Sequence, residues 1–229
     1  MEVIILAGGL GTRINKRYKL TPKSLIKFNG KPFIYYQLKE LQKNKIKNVI
    51  LCLGHLSKNI EIYVKKNFSD MSIKFSYDGS TKLGTGGAIK KACNLLNGKK
   101  FILIYGDSYL SYSYKKIINN YNKNNYIAMN VIFKNNNRFD KSNILLDNKN
   151  LITSMADKNL TKKYFHIDWG LSIFNKNIFL NYNKIVFELI DLKKNLIIKK
   201  KLRSYTVYKR FFEIGSYSGI SDFKKHILK

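Results

Sequence analysis

A glycine-rich segment near the amino terminus has the composition of a phosphate-binding loop. An apolar run is followed by three closely spaced glycines, Gly8, Gly9 and Gly11. Glycine lets backbone N–H groups approach a ligand closely, and consecutive N–H groups in a loop attract anions. Two cations follow, Arg13 and Lys23. We therefore expect this segment to hold a phosphate chain, with both cations reaching it.

Two common phosphate-binding motifs do not fit this segment. A Walker A loop would end in Gly-Lys-Ser or Gly-Lys-Thr, whereas this chain has Gly11-Thr12-Arg13. A dinucleotide-binding fingerprint would have a third glycine where Ile14 stands, and the usual downstream acid is missing.

A second glycine-rich segment, residues 82–88, reads Lys-Leu-Gly-Thr-Gly-Gly-Ala and is placed to end a loop and open a helix. Flat glycine backbone of this kind can lie against a nucleobase while main-chain groups contact the base edge. Asp107 follows a predicted strand directly. Ligands of open α/β sheets bind beyond the carboxyl ends of the strands, so Asp107 is a candidate Mg²⁺ ligand.

The composition is that of a globular chain with a strong positive charge. Its 229 residues are 45% hydrophobic and 14% aromatic, enough for a full core, and the net charge is +29. The lysines are scattered through predicted helices and no nucleic-acid-binding motif is present, so we interpret the charge as a surface that steers anionic substrates. No apolar run has the roughly 20 residues of a membrane span, and no signal peptide precedes the first strand. Cys52 and Cys93 fit buried free thiols of a cytoplasmic protein.

Alternating strands and helices predict an α/β fold with a Rossmann-like, doubly wound and mostly parallel sheet. In the first half the predicted strands are residues 3–6, 48–53, 73–77 and 101–105, and the predicted helices are 32–44, 57–67, 86–96 and 115–123. In the second half the predicted strands are residues 127–133, 144–146, 152–155 and 171–174, and helices are expected near 186–192 and 218–228. We expect the later strands to extend the sheet and to build a lid over a second substrate. The prediction is a single domain over residues 1–229.

The first motif, Gly-Gly-x-Gly-Thr-Arg followed by Pro22-Lys23, resembles the signature of sugar-1-phosphate nucleotidylyltransferases. These enzymes join a nucleoside triphosphate to a sugar 1-phosphate and release pyrophosphate. The resemblance extends from residue 1 to about residue 225. Its departures from the family pattern are Lys16, Ser108 and Glu213.

The resemblance implies roles for individual residues. Arg13 would hold the leaving phosphates and Lys23 would stabilise charge at the α-phosphate. The residues implied to bind the nucleotide are Leu6, Ala7, Gly8, Gly9, Gly11, Thr12, Asp78, Leu83, Gly84, Thr85, Gly86 and Asp107. Asp107 and Glu213 would hold Mg²⁺.

The acceptor contacts implied by the resemblance lie in the second half of the chain. Lys158 would hold the acceptor phosphate, Asp168 would accept hydrogen bonds from sugar hydroxyls, and Gly170 would leave room for the sugar ring. Arg138 and Asn143 stand, together with Asp140, where the family contacts the sugar.

The form of the motifs is most like the D-glycero-D-manno-heptose 1-phosphate guanylyltransferase branch of the family, which favours GTP and a heptose 1-phosphate in capsule or lipopolysaccharide synthesis. Cytidylyl, uridylyl or thymidylyl transfer to another sugar phosphate, or to a non-sugar phosphate, stays open. An inactive nucleotide-sugar-binding protein and a basic nucleic-acid-binding module are hypotheses from other classes. We expect substrates as partners rather than nucleic acid or membrane, and leave a homodimer open.

Overall fold

The computed structural model describes residues 1–8, 21–54, 57–79, 82–156 and 164–228. In these residues the strands are β1 (Glu2–Leu6), β2 (Lys27–Phe28), β3 (Lys31–Pro32), β4 (Asn48–Leu53), β5 (Ser72–Tyr77), β6 (Lys100–Tyr105), β7 (Ser108–Tyr109), β8 (Ala128–Lys134), β9 (Ile144–Leu146), β10 (Ile152–Met155), β11 (His166–Asn175), β12 (Leu202–Val207) and β13 (Phe212–Glu213). The helices there are α1 (Phe33–Lys43), α2 (Ser57–Asn67), α3 (Gly84–Cys93), α4 (Tyr114–Lys123), α5 (Asn177–Leu180), α6 (Leu189–Ile198) and α7 (Tyr217–Ile227).

The first half of the chain forms a parallel sheet in the order β6-β1-β4-β5. At its centre Ile4 of β1 pairs with Ile50 of β4 and Leu103 of β6. Ile4 is fully buried. Parallel strands are covered by helices on both faces, which explains why these strands are almost continuously apolar.

The helices cover the two faces of this sheet. Successive strand side chains alternate between faces, so Val3 and Ile5 enter one core and Ile4 the other. Helices α1, α2 and α4 pack on the first core, and α3, α5 and α6 on the second. In α4 the buried residues Tyr114, Ile117 and Tyr121 recur at helical spacing.

The second half of the chain continues the same sheet. Strand β11 lies antiparallel to β6 and also pairs with β8 and β9. Strand β12 then lies parallel to β8, and β10 lies antiparallel to β9. The sheet therefore runs on from β6 into the residues expected to contact the acceptor.

A small third core tethers the end of the described chain. Strand β13 pairs with β7, and α7 places Phe223 against Phe28 and Phe33, with ring centroids 4.8 and 5.0 Å apart. This packing brings β13 beside the segment that follows β6.

The predicted α/β fold with a large, mostly parallel central sheet is confirmed. The predicted limits of β4, α2, β9 and β10 match the structure. The helix expected near residues 186–192 was placed too early, because residues 185–188 are not helical and α6 begins at Leu189. Strand β12 was missed. In the part of the chain that the structure describes, no helix is both long and apolar enough to span a membrane.

Candidate active site

A cavity of about 1120 Å³ opens at the carboxyl ends of the parallel strands. One wall is built by residues at and just beyond the ends of those strands, and a second wall by the start of α3 and the segment leading into α6. Residues of the first wall include Leu6, Ala7, Gly8, Gly54, Asp78, Tyr105, Gly106 and Asp107. Residues of the second include Leu83, Gly84, Thr85 and Val186 to Asp191. This is where open α/β sheets bind their ligands.

The segments that follow β1 and β4 meet in very close backbone contact. A Cβ atom on Gly8 would lie 2.9 Å from the Gly54 nitrogen, and one on Gly54 would lie 2.7 Å from the Gly8 oxygen. Each of these two Cβ atoms would also lie 3.4 Å from Asp78 Oδ2. Both glycines are therefore required by the packing, and together they bring backbone next to a carboxylate. Burial raises the pKa of that Asp78 carboxyl above its ordinary value, and Lys91 partly opposes this.

Lys23 and Asp107 form an ion pair in the first wall of the cavity. Lys23 begins a single 3₁₀ turn, Lys23–Leu25, whose backbone closes through the Leu25 nitrogen donating to the Pro22 oxygen. Lys23 Nζ lies 3.6 Å from Asp107 Oδ2, with side chains 16% and 31% exposed. Both residues line the cavity, so phosphate bound there would meet a fixed positive charge beside a carboxylate.

Asp107 and Glu213 lie on neighbouring backbone segments. Glu213 pairs with Ser108 across β7 and β13, and the Ile214 nitrogen donates to the Asp107 oxygen at 2.9 Å. The Glu213 carboxylate accepts hydrogen bonds from the Gly215 N–H and the Ser216 hydroxyl. Among the described residues no three His, Cys, Asp or Glu side chains form a metal-binding group.

Asp107 fits Mg²⁺ as a ligand in the cavity wall, whereas Glu213 is not among the residues that line the cavity. Each carboxylate oxygen has two lone pairs, so the oxygens of Glu213 keep one after these hydrogen bonds. Mg²⁺ commonly uses one or two carboxylates, with phosphate oxygens and water supplying the other positions. Asp107, partly exposed in the cavity wall, can serve as one of those carboxylates.

The second glycine-rich segment is covered by another part of the same chain. Residues 185–188, which we name the strap, lie across the start of α3. The Gly86 and Gly87 nitrogens donate to the Phe187 oxygen at 2.9 and 3.2 Å, and the Phe187 nitrogen donates to the Leu83 oxygen at 3.0 Å. A Cβ atom on Gly86 would lie 2.2 Å from the Phe187 ring. Phe187 therefore occupies the space that glycine leaves open.

The strap is joined to α3 by a carboxylate as well. Glu188 Oε2 accepts from the Thr85 hydroxyl at 2.6 Å and from the Thr85 nitrogen at 3.1 Å, and the Leu189 nitrogen donates to Thr85 Oγ1 at 2.8 Å. Glu188 and Asp191 also form a reciprocal capping box at the start of α6. Both carboxylates line the cavity and were missed in the sequence, although Glu-x-x-Asp at a helix start was a usable signal.

The model of one protein family matches residues 2–216 of this chain, and its description is nucleotidyl transferase. The chain belongs to the nucleotidyl transferase family. It is 32% identical to D-glycero-alpha-D-manno-heptose 1-phosphate guanylyltransferase of Campylobacter jejuni over 219 residues, covering 94% of this chain and 95% of that protein. It is 29% identical to the protein of the same name from Aneurinibacillus thermoaerophilus, covering 94% and 93%.

A solved structure extends this similarity to the fold. HddC from Yersinia pseudotuberculosis, complexed with GMP-PN, superposes with a TM-score of 0.84 at 27% identity and 99% coverage of both chains. The family resemblance predicted from the sequence is thereby confirmed, as is the enzyme class of nucleotidyltransferase.

Many of the predicted nucleotide contacts of this nucleotidyl transferase surround the cavity. Those that line it are Leu6, Ala7, Gly8, Asp78, Leu83, Gly84, Thr85 and Asp107, together with Lys23, which was predicted to be catalytic. Gly86 is not among the lining residues, because the Phe187 ring packs against it. Gly9, Gly11, Thr12 and Arg13, and also Lys158, lie outside the described residues, so their roles stay predictions.

The described residues that were predicted to contact the acceptor do not line the cavity. Arg138 is exposed beyond β8, and Asn143 precedes β9, and neither lines the cavity. The space expected beside Gly170 is filled, because an added Cβ would lie 2.7 Å from Ser108 Oγ. Gly170 has φ +83°, which favours glycine, so its backbone gives a further reason for its identity.

Asp168 lies behind the cavity wall in a polar cluster. Its Oδ2 accepts from Lys193 Nζ at 2.8 Å and from the Tyr105 hydroxyl at 3.1 Å, and its Oδ1 accepts from the Gly170 nitrogen at 2.9 Å. Tyr105 itself lines the cavity. The structure thus connects Asp168 to the cavity through Tyr105. It also reveals Lys193, which the sequence gave no reason to distinguish from the many other lysines.

Proposed function

We propose that the protein transfers GMP from GTP to a heptose 1-phosphate, giving a GDP-heptose and pyrophosphate for surface polysaccharide synthesis. The observation that carries the proposal is the Lys23–Asp107 pair in a strand-end cavity. It occurs in a chain that matches two heptose 1-phosphate guanylyltransferases over almost their full lengths.

The chemistry follows from charge and position. A phosphate oxygen of the acceptor attacks the α-phosphorus of GTP in line, a new P–O bond forms, and the bond to the pyrophosphate oxygen breaks. The acceptor phosphate is already anionic at neutral pH, so no general base is needed. Lys23 stabilises charge on the α-phosphate, and Arg13 is assigned to the leaving phosphates through the family resemblance. Fixed charges of this kind act mainly by electrostatic stabilisation of the transition state.

Asp107 and Glu213 would hold Mg²⁺ in this proposal. When bound, the ion would neutralise phosphate charge and orient the triphosphate. The position of Asp107 in the cavity wall supports its assignment, whereas that of Glu213 rests on the family resemblance and on its strand pairing beside Asp107.

Asp78 provides the argument for guanine. Its carboxylate lies where the backbones of Gly8 and Gly54 meet, at the edge of the cavity. An ionised carboxylate only accepts hydrogen bonds. Guanine offers two adjacent donors, N1–H and the exocyclic amine, on its pairing edge, whereas the pairing edges of the other common bases do not. Asp78 would therefore select guanine.

The direct test is pyrophosphate release with Mg²⁺, using ATP, GTP, CTP, UTP and dTTP against a panel of sugar 1-phosphates that includes D-glycero-D-manno-heptose 1-phosphate. We expect turnover with GTP and the heptose phosphate above every other pair. Turnover with a different base or sugar would replace those parts of the proposal. Nucleotide binding without turnover across the panel would contradict the transferase reaction with these acceptors.

A further inference from the structure

A buried lysine behind the cavity wall has no part in the reaction described so far. The Lys193 side chain, on α6, is 1% exposed. Its ammonium lies 2.8 Å from Asp168 Oδ2, 2.9 Å from the Tyr105 hydroxyl and 2.7 Å from Asn130 Oδ1. An ammonium has three donors, and all three are used here. Lys193 therefore joins α6 to β11, β6 and β8 at a single point.

One polar group of this cluster, the Asp168 carboxylate, is partly exposed. The Asp168 side chain is 14% exposed, while the lysine behind it is sealed. Oδ2 is held by two donors, and among the described residues Oδ1 accepts only from the Gly170 nitrogen, which leaves a lone pair for another partner. Burial lowers the pKa of Lys193, but Asp168 and Tyr105 raise it by more, so the lysine stays charged and balances the carboxylate.

A buried ion pair such as Lys193–Asp168 adds little to the free energy of unfolding. The desolvation of a buried ion pair often cancels its attraction, and apolar residues of similar volume can serve as well. The lysine also fixes the orientation of Asn130, since only Oδ1 can accept from an ammonium, and Asn130 Nδ2 is left buried without a partner among the described residues. An unpaired buried donor costs free energy. The cluster is better explained by what it positions.

We propose that Lys193 is a positioning residue for the acceptor. It holds the Asp168 carboxylate and the Tyr105 ring in the orientation in which they meet the sugar of the acceptor phosphate. The inference rests on the proposed function, and it adds Lys193 to the residues that determine acceptor affinity. Among the described residues no hydrogen bond or ion pair joins this cluster to Asp78 or Lys23, where the nucleotide is proposed to bind, so GTP affinity should be independent of Lys193.

The test is the Lys193→Met variant, which keeps the length of the side chain and removes its charge. We expect the KM for the sugar 1-phosphate to rise about tenfold or more, because a charged hydrogen-bonding partner is lost. The KM for GTP and kcat should stay close to those of the wild type. Lys199→Met, at an exposed lysine just beyond the same helix, is the matched control and should change none of these values.

A second variant guards against a purely structural effect. Asp168→Asn combined with Lys193→Met removes both charges, so that no unpaired ion is buried, and it should fold and still show the raised acceptor KM. The proposal is overturned if folded variants keep the wild-type acceptor KM, if both KM values rise together, or if neither variant folds. Wild-type turnover in the same assay separates the two claims. An inactive wild type contradicts the proposed function, whereas an active wild type with unaffected variants contradicts this inference alone.

Discussion

Lys23 Nζ lies 3.6 Å from Asp107 Oδ2, at the point where the central strand β6 ends and the cavity begins. Nothing in the sequence separation of these residues requires them to meet. They meet because the 3₁₀ turn that carries Lys23 and the end of β6 both open on the same edge of the sheet. The pair supplies one group for phosphate charge and one for a cation, which is the minimum for the proposed reaction.

Removal of the cation should affect the chemical step. Lys23→Ala is expected to lower kcat about 10²–10³-fold, the usual effect of losing one donor that stabilises transition-state charge. The measurement is steady-state pyrophosphate release with saturating substrates. Lys27→Ala, at an exposed lysine on the neighbouring β2 strand, is the control and should be as active as the wild type. Near-normal turnover of Lys23→Ala would remove Lys23 from the mechanism.

Removal of the carboxylate should affect the metal requirement. Asp107→Asn is expected to lower turnover about 10²–10³-fold, and to raise the Mg²⁺ concentration needed for half of the remaining activity. A titration of activity against Mg²⁺ measures both. Asp70→Asn, at a carboxylate hydrogen-bonded to Gln42, is the control. An unchanged Mg²⁺ titration would show that Asp107 is not a ligand, and the same titration on Glu213→Gln would test the second ligand.

The strand framework was readable in the sequence because its driving forces are local. The apolar run Asn48–Leu53 has the length of a strand and the pattern of one buried on both faces, so its limits were predicted as observed. Strand β12, Leu202–Val207, was missed because it follows a run of lysines and mixes polar with apolar residues. Its identity as a strand comes from pairing with β8, a tertiary contact that no local pattern contains.

Replacement of Asp78 should reduce base selectivity. Asp78→Asn keeps the shape but replaces one acceptor by a donor, so guanine loses a charged hydrogen-bonding partner. We expect the affinity for GTP to fall about tenfold or more, while the weak affinity for ATP stays the same. Calorimetric titration with each nucleotide measures both. Equal losses for GTP and ATP would mean that Asp78 supports the loop rather than reading the base.

The same carboxyl predicts a pH dependence. The ionised form accepts the guanine donors, so affinity should be full near neutral pH and be lost as the pH falls through the Asp78 pKa. Burial raises this pKa, so the loss should begin at a higher pH than it would for an exposed aspartate. The ratio of wild-type to Asp78→Asn affinity, measured across pH, cancels the titration of the nucleotide phosphates. A ratio independent of pH would contradict the assignment.

One methyl group added at Gly86 should disturb the packing of the strap on α3. Gly86→Ala places a Cβ 2.2 Å from the Phe187 ring. Alanine is better than glycine in a helix by about 1 kcal/mol, but the overlap should dominate, and we expect a net loss of about 1–3 kcal/mol in the free energy of unfolding. Urea denaturation measures it. Gly98→Ala, whose Cβ would be 3.6 Å from its nearest neighbour, should change stability little. A Gly86→Ala protein as stable as the wild type would show that the strap is easily displaced.

The site residues that belong to a sequence motif were predicted. A residue that acts through other side chains was not, because no motif contains it. The segments containing Lys23, Leu83 and Asp107 could be placed at strand and helix ends in advance. Lys193 could not, because a buried lysine has the same sequence signature as an exposed one, and this chain has 43 Lys and Arg residues. The partner of Gly86 was equally invisible, because Phe187 lies about a hundred positions away and reaches it only in the folded chain.

The most direct test of the central claim is ³¹P NMR of the wild-type protein mixed with GTP, D-glycero-D-manno-heptose 1-phosphate and Mg²⁺. Nucleotidyl transfer predicts that the GTP and sugar phosphate signals decay together. GDP-heptose and free pyrophosphate should appear in equal molar amounts. Decay of GTP to GDP and inorganic phosphate, with the sugar phosphate unchanged, would contradict the account, as would a spectrum that never changes.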